Sequence, residues 1–168
     1  MGEIDETKIK LITTYGGTYI ARALQHDTEY GWETEYEREG KTKEEALSAL
    51  YERISHNISE NKRYAARMSS FIDMLRCLSD DVTTFTSGNL QVEVCIKPDG
   101  RARVYAKEYD ELSHTYDNLY SMTRRNTRDA VNALIDDLRE GAMGFRRNVN
   151  SDSDFLVSLD RQIKKGEL

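Results

Sequence analysis

One pattern constrains the fold of this chain more than any other, because it occurs twice at a spacing of 84 residues. Residues 44–54 read EEALSALYERI and residues 128–138 read RDAVNALIDDL, so Ala46, Ala49 and Leu50 have identical counterparts. In both segments apolar residues recur every three or four positions, which is typical of a helix with one buried face. The pattern predicts a duplicated unit; the alternative is two independent units with the same order of elements.

The residues before each helix predict a hairpin at the same spacing. KLITTYGGTYIARAL contains two apolar stretches separated by Gly-Gly, and VEVCIKPDGRARVYA contains two separated by Pro-Asp-Gly. Gly-Gly and Asp-Gly supply the positive φ angles that tight hairpins need. An offset of 84 aligns Gly16 with Gly100 and Ile12 with Ile96 without a gap.

A third strand and a helix start follow in each half. GWETEYERE alternates aromatic residues or threonine with glutamate, and TYDNLYSMT occupies the matching place in the second half. A period of two indicates a strand whose two faces differ. Thr42, with Glu45 three residues later, has the pattern of a capping box, and Asn126 or Thr127 can cap the second helix.

These observations predict an α+β fold of tandem β-β-β-α repeats with antiparallel sheet, in one compact domain. The predicted segments are a domain over 1–168, repeat one over 8–58, a linking helix over 59–80, repeat two over 88–142 and a C-terminal helix over 153–165. The linking helix either continues the first repeat's helix as one rod from about 43 to 79 or starts afresh near Ser59. Asn57 and Asn61 occupy seam positions of such a rod, which favours a bend there.

An apolar helix face also predicts self-association. Met68, Phe71, Leu75 and Leu78 recur at helical spacing, and three-stranded units leave strand edges exposed. We therefore expect a homodimer.

Charge and terminal composition exclude some classes of function. The net charge is −6, and residues 1–87 carry 16 acidic against 11 basic residues, which argues against a protein that coats DNA non-specifically. MGEIDETKIK lacks the apolar core of a signal peptide, and no apolar run approaches the roughly 20 residues of a membrane span. We expect a cytoplasmic protein without a membrane partner, in which Cys77 and Cys95 are buried as small apolar residues.

The chain carries no strong signature of catalysis. Walker, GxGxxG, GxSxG, CxxC and HExxH patterns are absent from the sequence, and its three histidines lie far apart in it. The question of enzymatic activity stays open, with binding favoured over catalysis and with no cofactor or metal expected.

An acidic row offers the first candidate binding surface. Glu33, Glu35, Glu37 and Glu39 alternate along the predicted third strand, at a spacing similar to that of phosphates along one nucleic-acid strand. The row is interpreted either as a mimic of nucleic-acid phosphates or, less favoured, as a metal-binding face, or else as a solvated face or charge that protects an edge strand from pairing.

Arginines around the second helix offer another candidate surface. They are Arg124, Arg125, Arg128, Arg146 and Arg147. Guanidinium groups suit phosphate or carboxylate, and Tyr116 or Tyr120 is a candidate stacking face, so a nucleotide or RNA site is one interpretation. Ordinary surface arginine is the other. The arginines are slightly favoured for direct contact, because a helix start attracts anions.

The segment YGWETEYEREGKTKEEALSALYERI resembles small proteins of phages and mobile elements. It is similar to the N-terminal module of HicB-type antitoxins, in which strands precede a Thr-x-Glu-Glu-Ala-Leu helix start; those residues here are Thr42, Glu44, Glu45, Ala46 and Leu47. The Pro-Gly stretch of HicB modules is missing. The resemblance implies a small accessory protein that works by binding.

Together these features predict a non-enzymatic binding protein of phage or mobile-element origin. It would inhibit or regulate a host machine, as anti-defence proteins do, by sequestering a protein, a protein–nucleic-acid complex or a phosphate-bearing nucleotide. The alternative is an RNA-binding regulator or a nucleic-acid-processing enzyme that uses Arg124, Arg125, Arg146 and Arg147.

Overall fold

The computed structural model of the protein describes residues 7–27, 29 and 31–168. Over these residues the chain is α+β, as predicted, with two antiparallel sheets and two helices. The strands are β1 (Thr7–Thr13), β2 (Tyr19–Asp27), β3 (Gly31–Gly40), β4 (Thr84–Ser87), β5 (Leu90–Ile96), β6 (Ala102–Asp110) and β7 (Thr115–Arg124). The helices are α1 (Lys43–Leu75) and α2 (Thr127–Lys164).

The sheets contain three and four strands. Their orders are β1-β2-β3 and β4-β5-β6-β7, and every pairing is antiparallel. Strand β4 was not predicted, because its sequence TFTS has little apolar periodicity and its four residues are exposed. Among the described strands it pairs with β5 alone, and it widens the second sheet on that side.

The chain divides into two compact units. The first unit joins the described residues up to Lys62 with Arg146–Leu168, and the second unit is Arg63–Phe145. Helix α1 therefore begins in the first unit and ends in the second, whereas α2 begins in the second and ends in the first.

Both helices are continuous. Residues 43–75 form one helix, as in the first of the two alternatives, and the separate helix predicted over 153–165 is wrong. Linking residues 59–75 form the last part of α1, and residues 153–164 form the last part of α2. Tertiary contacts explain the misleading signal at Asn57, because its Nδ2 donates a hydrogen bond to Tyr36 Oη at 2.8 Å.

In the first unit, alternate residues of β1 and β2 face the helices. Ile9 and Ala23 lie in a buried cluster with Leu50 of α1 and Phe155 of α2. The side-chain amide of Gln162 extends this packing, since it accepts a hydrogen bond from Ile9 N at 2.7 Å and donates one to Ile9 O at 2.9 Å. The C-terminal part of α2 therefore completes the core beneath the first sheet.

In the second unit the core lies between the second sheet, the C-terminal part of α1 and the N-terminal part of α2. Val92 and Val104 of the sheet are buried with Leu134 of α2 and with Phe71 and Leu75 of α1. The apolar residues that motivated the homodimer, apart from the partly buried Leu78, thus belong to the chain's own core. The homodimer remains a prediction without that support.

The buried positions of the two units correspond at the predicted spacing of 84. The buried residues Ala46, Leu50 and Ile54 of α1 match the buried residues Ala130, Leu134 and Leu138 of α2. Reciprocal aromatic contacts follow the same spacing. The Phe155 ring lies 6.0 Å from Tyr36 at an interplanar angle of 88°, and the Phe71 ring lies 6.1 Å from Tyr120 at 79°.

Strand irregularities also correspond, with one correction to the alignment. A bulge leaves Glu35 of β3 unpaired, and a bulge in β7 leaves Leu119 unpaired, 84 residues later. The hairpin turns instead correspond at a spacing of 83, because Gly17 and Gly100 have the positive φ angles of 80° and 86°. The gap-free pairing of Gly16 with Gly100 is therefore wrong by one residue, since the β6–β7 connection is one residue longer than the β2–β3 connection.

Helix starts are capped as the sequence predicts. Thr42 Oγ1 accepts a hydrogen bond from Glu45 N at 3.1 Å, and the Glu45 carboxylate accepts one from Lys41 N at 2.9 Å. For α2 the cap is Asn126, whose Oδ1 accepts from Asp129 N at 2.8 Å. Neither helix within the described residues has an apolar stretch that would reach across a lipid bilayer.

Candidate functional site

Alternate residues of β5 and β6 turn away from the core of the second unit. Ala102, Val104 and Ala106 are fully buried against the helices, so Arg103, Tyr105 and Lys107 project from the opposite side of the sheet. We call that side the open face of the second sheet. Its main members are Glu93, Cys95, Arg103, Tyr105, Lys107, Tyr109 and Tyr116.

The centre of this open face is Tyr105, which lies between two cations. The guanidinium carbon of Arg103 lies 5.1 Å from the centroid of the Tyr105 ring, and Lys107 Nζ lies 5.2 Å from it. Residues two apart in a strand project side by side, so one ring meets both cations. Both distances fall within the range of cation–π attraction.

Lys107 and Cys95 together hold the carboxylate of Glu93. Cys95 Sγ donates to Glu93 Oε1 at 3.0 Å, and Lys107 Nζ forms an ion pair with Glu93 Oε2 at 3.2 Å. The hydrogen bond from Cys95, and secondarily Lys107, lowers the pKa of Glu93 against the opposing effect of burial. Glu93 therefore stays ionised and fixes the ammonium group of Lys107 beside the Tyr105 ring.

Cys95 is held as a thiol. Its hydrogen bond to Glu93, followed by burial, raises the pKa of Cys95, which disfavours the thiolate that a nucleophile or metal ligand requires. The prediction that both cysteines are buried is wrong, because Cys77 is exposed and Cys95 is half-buried on the open face.

Arg103 retains hydrogen-bonding capacity. Its Nη2 donates to Ser121 Oγ at 3.3 Å, whereas its buried Nε has no hydrogen-bond partner within the described residues. Buried polar groups are rarely left without partners, and an unpaired donor often marks a place where a water or a ligand group belongs. Arg103 therefore has a donor, Nε, that a ligand or a water can use.

The structure separates the two tyrosines that the sequence offered as stacking faces. Tyr116 lies on the open face, where its ring meets the ring of Tyr109 at 5.4 Å and an angle of 65°. Tyr120 lies on the helix side of β7, because its cross-strand partner Ala106 is buried there, and it packs against Phe71. Of these two tyrosines, Tyr116 is the one that can contribute to binding on the open face.

The five candidate arginines do not form one cluster within a single unit. Arg124, Arg125 and Arg128 are exposed at the junction of β7 and α2 in the second unit, whereas Arg146 and Arg147 lie within α2 in the first unit. Arg128 lines a cleft of about 570 Å³ beside the start of α2.

The start of α2 is a poorer anion site than its arginines suggest. Asn126 already accepts the N–H of Asp129, and the carboxylate of Asp129 stands in the first turn of the helix. Asp80 adds a second carboxylate to the adjacent cleft. These acceptors and charges compete with an incoming anion for the helix start.

The glutamates of β3 do not form a row on one face. Glu33 pairs with Gln25 and Glu37 pairs with Arg22, and the bulge at Glu35 lies between them. Gln25 and Arg22 are three residues apart in β2, so Glu33 and Glu37 project from opposite sides of the sheet. Glu37 is also bound to Arg22, with 2.6 Å between Oε2 and Nε. β3 is an edge strand, which favours the edge-protection interpretation.

Sequence reasoning missed the residues at the centre of the open face. The signal was present in RARVYAKEY, where Arg, Tyr and Lys alternate with small apolar residues. This period of two separates a cationic–aromatic face from a buried one.

No protein-family model matches the chain, and neither a curated protein nor a solved structure matches it. The geometry of the second sheet is therefore the basis for an inference about function.

Proposed function

We propose that the protein is a non-enzymatic binding protein that captures a nucleobase-bearing phosphate ligand, either a free nucleotide or single-stranded RNA. The binding surface is the open face of the second sheet. The observation that carries the proposal is the Tyr105 ring with Arg103 and Lys107 both within cation–π distance of it.

The chemistry of this face matches the two parts of a nucleotide. Bases stack on aromatic rings or on guanidinium planes, largely independently of sequence. Arg103 places positive charge beside the ring, where the phosphate of a stacked nucleotide is attracted, whereas the charge of Lys107 is balanced by Glu93. Arg125, directly after β7 in the same unit, supplies a further phosphate contact for a longer ligand, whereas Arg124 pairs with the buried Ala102 and so projects from the helix side.

Binding of a ligand without catalysis agrees with the resemblance to phage and mobile-element proteins, which implies a small accessory protein that works by binding. By sequestering a nucleotide or an RNA, the protein would inhibit or regulate a host machine. An RNA-binding regulator would use the same surface. Competition between AMP and RNA distinguishes a free nucleotide from single-stranded RNA as the ligand.

We also infer that the two units are copies of one β-β-β-α unit. The matching bulges at Glu35 and Leu119 support this, as do the reciprocal contacts of Phe155 with Tyr36 and of Phe71 with Tyr120.

The binding proposal is tested by fluorescence anisotropy with a labelled oligoadenylate, with AMP as competitor. Tyr105→Ala should weaken RNA binding by roughly tenfold, since base–aromatic stacking contributes about 1–3 kcal/mol per base. The control is Tyr51→Ala, because Tyr51 is an exposed tyrosine on α1.

The salt dependence of affinity measures the phosphate contacts. Arg125→Ala should lower the slope of log affinity against log salt by about 0.7, the value for one phosphate contact on a single strand. If AMP displaces the labelled oligoadenylate at concentrations similar to those of RNA nucleotides, a free nucleotide is sufficient for binding. If RNA binds and AMP does not displace it, the ligand is a longer strand. Equal affinities of wild type, Tyr105→Ala and Tyr51→Ala, with circular dichroism unchanged, would refute the proposed surface.

A further inference from the structure

We propose that the first sheet carries a second nucleobase-binding site, centred on Trp32 with Lys8 and His26. The inference rests on the proposed function for its class of ligand. Its geometry is independent of the second unit.

The side chains of this site lie on the face of the first sheet that turns away from the helices. Ile9 and Ala23 are buried against the helices, so Lys8, their neighbour in β1, projects from the other side. His26 and Trp32 are cross-strand partners in β2 and β3, and Trp32 remains 39% exposed. A large aromatic ring with this much exposure can accept a stacked base.

Two polar groups hold the indole in place. Lys8 Nζ lies 4.2 Å from the centroid of the Trp32 ring, within cation–π distance. The His26 ring meets the Trp32 ring edge-on, with centroids 5.1 Å apart and an angle of 72°. The edge contact fixes the orientation of the indole, and the ammonium group places positive charge where a nucleotide phosphate would lie.

An equivalent aromatic pair occupies the same place in the second sheet. Tyr109 and Tyr116 are also cross-strand partners next to the end of a hairpin, with centroids 5.4 Å apart and an angle of 65°. His26 and Trp32 match them in strand pairing, in spacing and in edge-on geometry. Two open faces with one arrangement fit ligands of the same chemical class.

Charge on this face favours a phosphate-bearing ligand over an uncharged one. Lys10 follows Lys8 on the same side of β1, and both lie along one strand. Arg22 lies opposite Lys10, but its guanidinium is held by Glu37 at 2.6 Å. The lysines of β1 are therefore the cations that meet the ligand.

The chain provides its own reporter, since Trp32 is its only tryptophan. Titration of the full-length protein with AMP and with oligoadenylate, under selective excitation of tryptophan, should quench the emission of Trp32 in a saturable manner. Lys8→Met should weaken the apparent affinity by about fivefold, the upper value for an exposed charge pair. Tyr15→Ala, a fully exposed ring in the β1–β2 turn, should leave the titration unchanged.

Two further variants separate this inference from the proposed function. In Tyr105→Ala the quenching of Trp32 by AMP should persist, because the site belongs to the first unit. Trp32→Leu should weaken oligoadenylate binding in the anisotropy assay by roughly tenfold, while circular dichroism stays unchanged. Absence of quenching in a protein that binds oligoadenylate through Tyr105 overturns the second site and leaves the proposed function intact. Loss of quenching in Tyr105→Ala also overturns it, since the signal then reports the second unit.

Discussion

Replacing Phe155 with alanine tests the contact that ties the C-terminal part of α2 to the first sheet. Phe155 is 1% exposed and belongs to the buried cluster that includes Leu50 and Ile54 of α1. Its ring packs edge-on against Tyr36 at 6.0 Å. Removal of the ring leaves a cavity between the helices and the sheet of the first unit.

The expected loss of stability follows from this burial. A fully buried Phe→Ala change costs about 3–5 kcal/mol, which includes the lost transfer free energy and the cavity. With a urea m-value of about 2 kcal/mol/M, the midpoint of unfolding should fall by about 1.5–2.5 M. Phe155→Leu keeps most of the volume but loses the edge-on contact, and it should cost about 1 kcal/mol.

Urea unfolding followed by Trp32 fluorescence and by far-ultraviolet circular dichroism measures both changes. Trp32 reports the first unit, and circular dichroism reports both helices. Val157→Ala is the matched control on α2, because Val157 is 63% exposed and its truncation should stay within about 0.5 kcal/mol. A Phe155→Ala variant no less stable than Val157→Ala would refute the packing of α2 on the first sheet.

Two further predictions concern a buried carboxyl group and the helix caps. Asp152 is 4% exposed and accepts a hydrogen bond from Tyr36 Oη, and burial raises its pKa, so the folded state favours the protonated form. The free energy of unfolding should therefore decline as pH rises from the ordinary aspartate pKa, about 3.9, through the raised pKa of Asp152 in the folded state. Thermal unfolding of Asp152→Asn as a function of pH should lack this decline. The same pH dependence in the variant and the wild type would contradict the raised pKa of Asp152. Asn126→Ala should cost about 1 kcal/mol because it removes the cap of Asp129 N, and Thr42→Ala should cost a similar amount at α1; chemical unfolding that detects neither loss would show that the caps are not formed in solution.

The elements that local chemistry determines were predictable from the sequence. Turn glycines and strand alternation indicated the hairpins, and Thr42 and Asn126 indicated where the helices begin. The continuity of the two helices was not predictable, because internal residues that look like breaks are accommodated by distant contacts. Asn57 bonds to Tyr36, and Gly141 makes room for Met68, whose Sδ would lie 3.0 Å from a Cβ at that position.

The candidate site was likewise predictable only in the part that follows from the pattern along one strand. The alternation of Arg103, Tyr105 and Lys107 was present in the sequence, but the ion pair of Lys107 with Glu93 depends on strand register. The bulge at Glu35 likewise has no local signal, and it moves Glu33 and Glu37 to opposite faces. Register and bulges arise from pairing across strands, which a pattern along one strand does not contain.

Each helix contributes one end to each unit, and this sets the order in which the two cores can form during synthesis. The core of the second unit lies wholly within Arg63–Phe145, so its parts leave the ribosome together. The first sheet is made earlier, but its core waits for Phe155 and Leu159. At about 5–20 residues per second, the roughly 100 residues between Ile54 and Phe155 delay closure of that core by about 5–20 s. The N-terminal sheet is therefore the last part of the nascent chain to be sealed, and during that interval its apolar side chains are available to chaperones.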